Sequence, residues 1–344
     1  MFYKIIEKQP KHWSEDEFRQ FYDFLENQRL DYCPIIPKQT FEDFRLGLLE
    51  EPFDQVQRNF FAFDENDMPI GTLFFSHAKR PEDEKVNEVW IYVSTLKSHE
   101  RKGIGKSLLS YAHKEAEKIG AEKINTYVEN PESLGFAHKF GGVLSAEKNM
   151  KYLMLREANY GKAQEWIAEL DVKNMNINLT FYDKIPDEVL GKFIDAFNQM
   201  NRDNPDVAQG LMEYEPWTVE QFKDALAKGE KRGVKRFLIL AFDKNENIAG
   251  LTMIRTENTA PSSITQSLTG VSRDFRGKGL AKLLKAQMLM HIKENLPEFE
   301  VMTTWNNKRN EAMNHINIEL GYKDAQPCFD CQFEVASLGK LLNN

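Results

Sequence analysis

Residues 264–284, which read ITQSLTGVSRDFRGKGLAKLL, decide the fold. The first eight of them are typical of a β-strand, and two glycines then precede a long amphipathic segment. The apolar residues of that segment recur at helical spacing and are Leu280, Leu283, Leu284 and Met288. Three lysines are expected to lie together on another, exposed face of the helix, namely Lys278, Lys282 and Lys285. The stretch therefore predicts a strand, a tight glycine turn and a helix.

The glycine turn predicts an anion-binding site. The first amides of a helix lack intrahelical acceptors and lie at the positive end of the helix dipole. Gly277 and Gly279 have no Cβ, so a diphosphate could approach those amides closely. An ordinary strand-to-helix turn with a solvated lysine face is the alternative reading for the glycine pair taken by itself.

The chain contains the same landmarks twice, which predicts a duplicated module. Three pairs of glycines, separated by 179, 176 and 180 residues, mark the two copies: Gly71 and Gly250, Gly103 and Gly279, Gly141 and Gly321. Each copy reads as a strand, amphipathic helices, a hairpin, a strand, a glycine turn into a helix, a strand, a short helix and closing strands. We therefore expect an α/β (α+β) fold that is present in two copies.

The order of strand, polar spacer, R-G-K-G-L-A and long helix resembles the acyl-CoA-binding motif of the GCN5-related N-acetyltransferase (GNAT) superfamily. Its consensus, [QR]-x-x-G-x-[GA], is filled by Arg276, Gly279 and Ala281. The resemblance implies two tandem GNAT folds, each a mixed, mostly antiparallel twisted sheet flanked by helices, with splayed central strands. It also implies acetyl-CoA as cofactor, with the diphosphate on the turn and the pantetheine arm along the preceding strand. The residues so implied are Thr269, Gly270, Val271, Arg276, Gly277, Lys278, Gly279, Leu280, Ala281 and Lys282.

The corresponding turn of the first copy, ERKGIGKS at residues 100–107, departs from the consensus. Glu100 occupies the [QR] position, where its carboxylate would lie next to the diphosphate. The resemblance still marks a second candidate CoA site, at Val93, Arg101, Lys102, Gly103, Ile104, Gly105, Lys106 and Ser107. A P-loop is excluded, because that motif needs glycine at position 100. We expect a degenerate first copy that is structural or binds cofactor only.

The second copy ends on an asparagine-rich segment that is similar to GNAT modules related to the C-terminal half of mycothiol synthase. The pattern N-x-x-x-N-x-x-M-x-x-[IV]-N-x-x-L-G-[FY] is matched from residue 306 to residue 322. The resemblance implies that Asn306, Asn310 and Asn317 line the cofactor cleft; helix capping or a satisfied polar contact is the alternative role. Many GNAT enzymes carry a tyrosine at the position of Asn317, where it protonates the departing thiolate, and the first copy has Ala137 there.

Acetyl transfer to an amine needs a neutral nucleophile, an oxyanion donor and a proton route to the leaving thiolate. We expect the backbone amide of Val271 to be the oxyanion donor and Asn317 to occupy the thiolate position. Glu213 and Glu215 are the candidate general bases, because in this superfamily the segment before the hairpin walls the acceptor pocket. The alternative is that both are surface carboxylates beside a helix start.

The composition indicates an ordinary soluble protein of two domains. The chain has 344 residues, 41% hydrophobic and 28% charged, with a formal net charge of −8, which disfavours nucleic-acid binding. No apolar run approaches ~18 residues and the N-terminus lacks a signal-peptide pattern, so we expect a cytoplasmic protein that does not bind membranes. Cys33, Cys328 and Cys331 lack the spacing of a disulfide framework or a zinc site, and we expect no metal.

These inferences combine into one expectation for the chain. Residues 1–157 form the first GNAT domain, residues 158–176 a linker with a helical segment, and residues 177–344 the second, catalytic domain. The expected activity is transfer of an acetyl group from acetyl-CoA to a primary amine of a small molecule or peptide, by direct attack on the thioester. The alternatives are a noncatalytic acyl-CoA-binding or scaffold protein and a tandem enzyme with another acyl donor. We expect a monomer that is a pseudo-dimer of two domains, or a homodimer.

Overall fold

The chain divides into two compact units. A computed structural model describes residues 2–32, 34–35, 38–49, 55–80, 85–170, 175–208, 214–231, 233–257 and 262–343. The first unit consists of Met1–Lys148 and Gln326–Asn344, and the second of Asn149–Ala325. This division differs from the boundaries expected at residues 157 and 177, because the last strand of the chain belongs to the first unit. A helix, Tyr160–Glu169, lies within the segment expected to be the linker and belongs to the second unit.

The order of helices and strands repeats along the chain. The first part contains β1 (Lys4–Glu7), α1 (Glu15–Tyr32), α2 (Phe41–Leu49), β2 (Gln55–Phe63), β3 (Pro69–Ala78), β4 (Glu88–Thr95), α3 (Ile104–Lys118), β5 (Lys123–Val128), α4 (Pro131–Lys139) and β6 (Val143–Met154). The rest contains α5 (Tyr160–Glu169), β7 (Asn178–Tyr182), α6 (Asp187–Arg202), α7 (Pro205–Ala208), α8 (Val219–Lys231), β8 (Lys235–Phe242), β9 (Ile248–Thr256), β10 (Ser263–Val271), α9 (Leu280–Asn295), β11 (Val301–Asn307), α10 (Glu311–Leu320), β12 (Lys323–Glu334) and α11 (Val335–Leu342).

The sheet of the first unit has the strand order β1-β2-β3-β4-β5-β12. Only the β4–β5 pair is parallel among these described pairings. Alternate residues of β2 face opposite sides, so Phe60 packs in the core beneath α3 while Phe61 packs among the phenylalanines of α1 and α2. The strand beside β5 therefore comes from the far end of the chain, and its Phe333 completes the core beneath α3.

The sheet of the second unit has the strand order β6-β11-β10-β9-β8-β7, with β10 and β11 parallel. In β8, Ile239 packs into the core shared with α5 and α9, and Leu240 packs on the opposite face against α6. The strand beside β11 is contributed by the first half of the chain. Each unit has a mixed, mostly antiparallel sheet with helices on both faces, so the expected fold class is confirmed.

The two hairpin tips share one turn geometry, which supports the duplication. In the first, Asp64 Oδ1 accepts hydrogen bonds from the amides two and four residues later, both at 2.9 Å. In the second, Asp243 Oδ1 accepts from the same two positions at 2.8 Å. Asp67 and Glu246, which lie 179 residues apart, both have a φ of 60°. The same side chain therefore holds the same left-handed turn in both units.

The expectation that Lys285 lies on an exposed helix face is wrong. Its side chain is 3% exposed, and burial lowers its pKa to about 7. The ammonium nitrogen lies 5.0 Å from the ring centroid of Tyr322, a contact that only partly compensates for lost hydration. At the same offset that relates Gly103 to Gly279, the first unit carries the buried Leu109. A lysine thus occupies a core position of α9.

We predict that Lys285→Leu stabilises the protein at neutral pH. A lysine whose pKa is lower in the folded than in the unfolded chain costs stability below the unfolded pKa of about 10.4, and the cost grows as the pH falls towards the folded value. We expect a gain of roughly 2–4 kcal/mol in unfolding free energy at pH 7 that shrinks towards pH 10. Urea unfolding of both proteins across pH 6–10 checks this, and a variant that is less stable at pH 7 would contradict it.

We predict that residues 177–344 do not form a stable unit when produced alone. That fragment lacks β6 and α5, so Leu153, Leu155 and Trp166 of the second core are missing. Loss of three large buried side chains removes roughly 5 kcal/mol or more, comparable with the whole stability of a domain. A matched fragment of residues 149–325 keeps this core and is expected to be the more soluble of the two. Solubility and circular dichroism of both fragments test this comparison.

Candidate active site

The glycine turn of the second unit has the conformation that the sequence predicts. After β10, a short 3-10 turn at Arg273–Phe275 leads to Gly277 and Gly279, whose φ angles are +74° and +83°. Gly279 is the N-cap of α9, and no side chain caps the helix there. The first amides of α9 therefore lack an intrahelical acceptor and lie at the positive end of its dipole. This is the arrangement that binds diphosphates.

Two glycines of this segment are also required by close packing. A Cβ on Gly279 would lie 2.6 Å from Leu170 Cδ2, at the end of α5. A Cβ on Gly270, in β10, would lie 2.6–2.9 Å from the side chain of Met200. A Cβ on Gly277 would meet no atom within 4 Å, so there is open space beside that residue. The turn is thus held tightly at Gly279 and is open at Gly277.

The parallel strands β10 and β11 separate after a short pairing. They are paired at three positions, from Ser263 to Thr265, and a register shift in β10 follows. At the end of β10, the amide of Ser272 donates to the Ala249 carbonyl at 2.9 Å. Successive strand amides point in opposite directions, so the N–H of Val271 points away from β9, to the side that β11 has left. That direction is the one that an oxyanion donor requires.

The basic side chains at this turn bind groups of the second unit. Arg273 and Arg276 both form ion pairs with Asp203, the C-cap of α6, whose side chain is 6% exposed. Arg273 is the main cause of a lowered pKa of Asp203, with Arg276 adding to it. Lys278 donates to the Asp274 carbonyl at 2.9 Å, and Lys282 lies 3.3 Å from Glu319. The turn is therefore fixed to the C-terminal end of α6.

The three asparagines differ in their surroundings. Asn310 is the N-cap of α10, and its side chain accepts from Met313 N at 3.2 Å, as its capping role predicts. Asn317 is fully buried, and its Nδ2 donates to Asn306 Oδ1 at 2.9 Å. The Oδ1 of Asn317 has no hydrogen-bond partner. Gly321 ends α10 with a φ of +98°, as expected. The cleft-lining role of these asparagines stays a prediction.

The expected general bases receive little support. Glu213 lies outside the described residues. Glu215 is exposed, in a segment held by α6: the side chain of Asn198 accepts from Trp217 N at 2.9 Å and from the Tyr214 hydroxyl at 2.7 Å. Glu215 itself has an interaction partner. Both assignments stay predictions.

The turn of the first unit repeats the geometry with different side chains. Gly103 has a φ of +85° and is the N-cap of α3, and Arg101 has a φ of +61° where the second unit has Gly277. A non-glycine residue in this region costs about 1 kcal/mol. Glu100 accepts a hydrogen bond from the Tyr32 hydroxyl at the end of α1, which corresponds to the Arg276–Asp203 contact. Ser107, in the first turn of α3, is hydrogen-bonded to Tyr3 at 2.7 Å.

The first unit also contains a polar cluster that sequence reasoning missed. β4 and β5 are paired up to Ile91 and Thr126 and then separate. Across this separation, the Tyr92 hydroxyl donates to Glu129 Oε2 at 3.1 Å, and Gln326 Nε2 donates to Glu129 Oε1 at 3.1 Å. Burial raises the pKa of the Glu129 carboxyl. The sequence feature that could have indicated this cluster is the position of Glu129. It comes directly after β5, the strand that follows α3.

No helix in the described part of the chain is long and apolar enough to cross a membrane. Among the same residues, no group of three or more histidine, cysteine, aspartate or glutamate side chains is arranged to hold a metal ion.

We predict that Gly279→Ala destabilises the protein more than Gly277→Ala. Both variants place an L-residue in the left-handed region, at a cost of about 1–2 kcal/mol. Only Gly279→Ala adds a clash with Leu170, which we expect to contribute a further 1–3 kcal/mol, roughly. Thermal unfolding of the two variants, and of Gly279→Ala combined with Leu170→Ala, measures the difference. Equal melting temperatures for the single variants would contradict the packing contact.

Comparison with known proteins agrees with this architecture. Residues 11–142, most of the first unit, match the profile of the acetyltransferase (GNAT) family. Curated protein sequences contain no relative that matches this chain. Among solved structures, a tandem GNAT protein from the clavulanic acid biosynthesis pathway is similar with a TM-score of 0.74 at 17% identity, over 97% of this chain and 99% of that one.

Two further structures share the fold. A GCN5-related N-acetyltransferase from Sphaerobacter thermophilus has a TM-score of 0.69 at 10% identity, over 97% of this chain and 96% of that one. A glucosamine N-acetyltransferase region of a fungal multi-domain β-N-acetylglucosaminidase has a TM-score of 0.65 at 14% identity, over 96% of this chain and 38% of that one. The family match thus covers residues 11–142, and the likeness to these structures shows that the chain as a whole has the fold of a tandem GNAT protein.

Proposed function

We propose that this protein is an acetyl-CoA-dependent N-acetyltransferase that acts on a primary amine of a small molecule or peptide. One observation carries the proposal: a single segment, β10 to α9, joins an uncapped left-handed glycine turn to a strand amide that points into a gap between parallel strands. The glycine turn can bind the diphosphate of an acyl donor. The strand amide can donate a hydrogen bond to the carbonyl oxygen of its thioester.

The residues of the second unit fit acetyl-CoA. The positive φ of Gly277 and the open space beside it leave room for a diphosphate at the first amides of α9. Further along the cofactor, residues 269–271 present the free edge of β10 to the pantetheine arm. When bound, acetyl-CoA supplies an activated acetyl thioester. The Val271 amide would then donate to the thioester oxygen as negative charge develops there during attack by the amine nitrogen.

The roles of three other side chains belong to this proposal. By the resemblance, Asn317 would occupy the position from which other GNAT enzymes protonate the leaving thiolate, but it is fully buried and an amide is a poor acid. A water molecule or the acceptor itself would then supply that proton. Glu213 or Glu215 would accept the proton lost by the amine. The buried Asn317 is the observation that favours the alternative function, a noncatalytic acyl-CoA-binding protein, and another acyl donor remains the third candidate.

We further propose a cytoplasmic enzyme that works as a monomer of two GNAT units. Cys328 and Cys331 are buried free thiols, in agreement with a reducing compartment. Burial raises the pKa of both thiols, which makes them poor nucleophiles. The amine acceptor is the only partner that this function requires.

The proposal predicts that Arg276→Ala impairs acetyl-CoA use and that Arg273→Ala does not. Both variants lose an ion pair with Asp203, so they form a matched pair for stability. Only Arg276 fills the basic position of the motif, and loss of a charge-assisted contact to a diphosphate typically weakens binding about tenfold or more. We expect the KM for acetyl-CoA to rise by about that factor in Arg276→Ala and to change less than about twofold in Arg273→Ala.

The measurement is release of CoA thiol from acetyl-CoA over a panel of primary amines, together with the change in melting temperature on adding acetyl-CoA. A rise in melting temperature without thiol release would favour the noncatalytic alternative. If the wild-type protein shows neither, the proposed function is wrong.

A further inference from the structure

The end of β10 is held by a side chain on the side that β11 has left. In an extended strand, the N–H and the C=O of one residue point to the same neighbouring strand. The carbonyl of Val271 therefore points in the same direction as its amide. Arg276 Nε donates to this carbonyl at 3.1 Å. A side chain of the glycine turn thus supplies the hydrogen bond that a paired strand would otherwise give.

The guanidinium of Arg276 is itself fixed from α6. Its Nη2 forms an ion pair with Asp203 Oδ2, and the Asp203 side chain is 6% exposed. Asp203 is the C-cap of α6, and its amide donates to the Gln199 carbonyl at 3.1 Å. Beside it, Met200 packs so closely on β10 that a Cβ on Gly270 would lie 2.6 Å from the methionine sulfur. The Asp203 carboxylate therefore has a fixed position relative to the end of β10.

Arg273 pairs with the same carboxylate but differs from Arg276 in its other contacts. The Nε and Nη2 of Arg273 both donate to Asp203, at distances of 2.6–3.3 Å, and its side chain is 72% exposed. Arg276 is less exposed and divides its donors between Asp203 and the Val271 carbonyl. Arg273 is therefore a natural control, because it shares the ion pair and Arg276 is the one bonded to the strand.

The ends of the corresponding strands in the two units match residue by residue. In the hairpin registers, Thr95 lies opposite Gly71 and Val271 lies opposite Gly250, so Thr95 is the counterpart of Val271. In each unit, the amide that follows donates to the carbonyl just before that glycine, at 3.1 Å in the first unit and 2.9 Å in the second. The two strand ends are thus held by their hairpins in the same way.

The first unit also binds the outward carbonyl, with a different side chain. Gln28, on α1, is 8% exposed, and its Nε2 donates to the Thr95 carbonyl at 3.2 Å. The donor is a neutral amide in the first unit and a guanidinium held by Asp203 in the second. In both units a side chain replaces the missing strand. In the second unit, that side chain is the basic residue of the glycine turn.

We propose that Asp203 is a positioning residue for acyl transfer: through Arg276 it fixes the end of β10, and with it the direction of the Val271 amide. This inference rests on the proposed function, in which that amide donates to the thioester oxygen. An oxyanion donor is effective when its N–H already points at the developing charge, so movement of the strand end lowers the rate of the chemical step. Asp203 acts through Arg276 rather than on the reacting atoms.

The charge of Asp203 predicts that kcat and KM respond differently to its replacement. A carboxylate near the diphosphate site opposes the binding of an anion, so its removal does not by itself weaken acetyl-CoA binding. We expect Asp203→Asn to lower kcat about three- to tenfold, while the KM for acetyl-CoA changes less than about threefold. The rate is expressed per folded protein, measured by near-UV circular dichroism, so that loss of native protein does not imitate the effect.

Two further variants serve as controls. Arg273→Ala removes the other ion pair of Asp203 and leaves Arg276 in place, and we expect its kcat to stay within about twofold of the wild-type value. Asp203→Glu restores the carboxylate, and we expect it to recover most of the rate that Asp203→Asn loses. Both controls are measured with the same amine and over the same range of acetyl-CoA concentrations.

Amide hydrogen exchange tests the position of the strand end without any turnover. Mass spectrometry of the full-length protein, without ligand, follows a peptide that covers residues 268–276. We expect this peptide to exchange about three- to tenfold faster in Asp203→Asn than in the wild type or Arg273→Ala, because the strand end opens more often once its outward contact is lost. A peptide from the hairpin tip at residues 243–248 is the internal reference and should exchange equally in every variant.

The proposal is overturned if Asp203→Asn leaves the exchange of residues 268–276 or the kcat per folded protein unchanged, or if Arg273→Ala loses as much. It is also overturned if Asp203→Glu recovers nothing, or if the KM for acetyl-CoA rises about tenfold at an unchanged kcat, which would place Asp203 in diphosphate binding. A wild-type protein that releases no thiol with any amine contradicts the proposed function itself. The exchange comparison then shows separately whether Asp203 fixes the strand end.

Discussion

Both candidate sites depend on the early separation of two parallel strands. In each unit, the strand before the glycine turn and the strand after the following helix pair over only three or four residues and then part. At the ends of β10 and β4, the backbone amides that face the neighbouring parallel strand therefore have no hydrogen-bond partner on that strand. Backbone donors and nearby side chains become available to ligands in the middle of a sheet, where they are normally consumed by pairing. The packing of α9 and α3 beneath the sheets keeps the remaining strands in place.

The features that could be predicted from the sequence are those fixed by neighbouring residues. The glycine turn, the Asn310 cap and the glycine that ends α10 each follow from local backbone chemistry, and the constant spacing of the glycine pairs revealed the duplication. The exposed position predicted for Lys285 is wrong because the prediction assumes that only one face of the helix is buried. In the structure, buried residues occupy more than one face of α9. The Tyr92–Glu129 contact joins residues 37 positions apart across a parallel crossover, and Gln326 comes from another strand altogether. No periodicity within one segment brings these residues together.

The two units preserve different parts of one design. The second keeps the consensus basic residue and a glycine at both left-handed positions of its turn. The first replaces these by Glu100 and Arg101, yet it is the half that matches the family profile, and it holds the partly buried carboxylate of Glu129. In both units, the turn is bound to the C-terminal end of a helix, to α1 through Tyr32 in the first and to α6 through Asp203 in the second. The two units thus hold the glycine turn in a similar position, whereas the charged side chains on the turn differ between them.

The exchange of closing strands has a consequence for biosynthesis. Val128 in β5 is paired with Phe329 in β12, 201 residues later, so the first sheet cannot be completed until β12 has also left the ribosome. Until then, one side of β5 has unsatisfied backbone groups that another nascent chain could join. Such a high contact order favours slow maturation, and the yield of native protein should depend on translation speed and on chaperones that shield this edge.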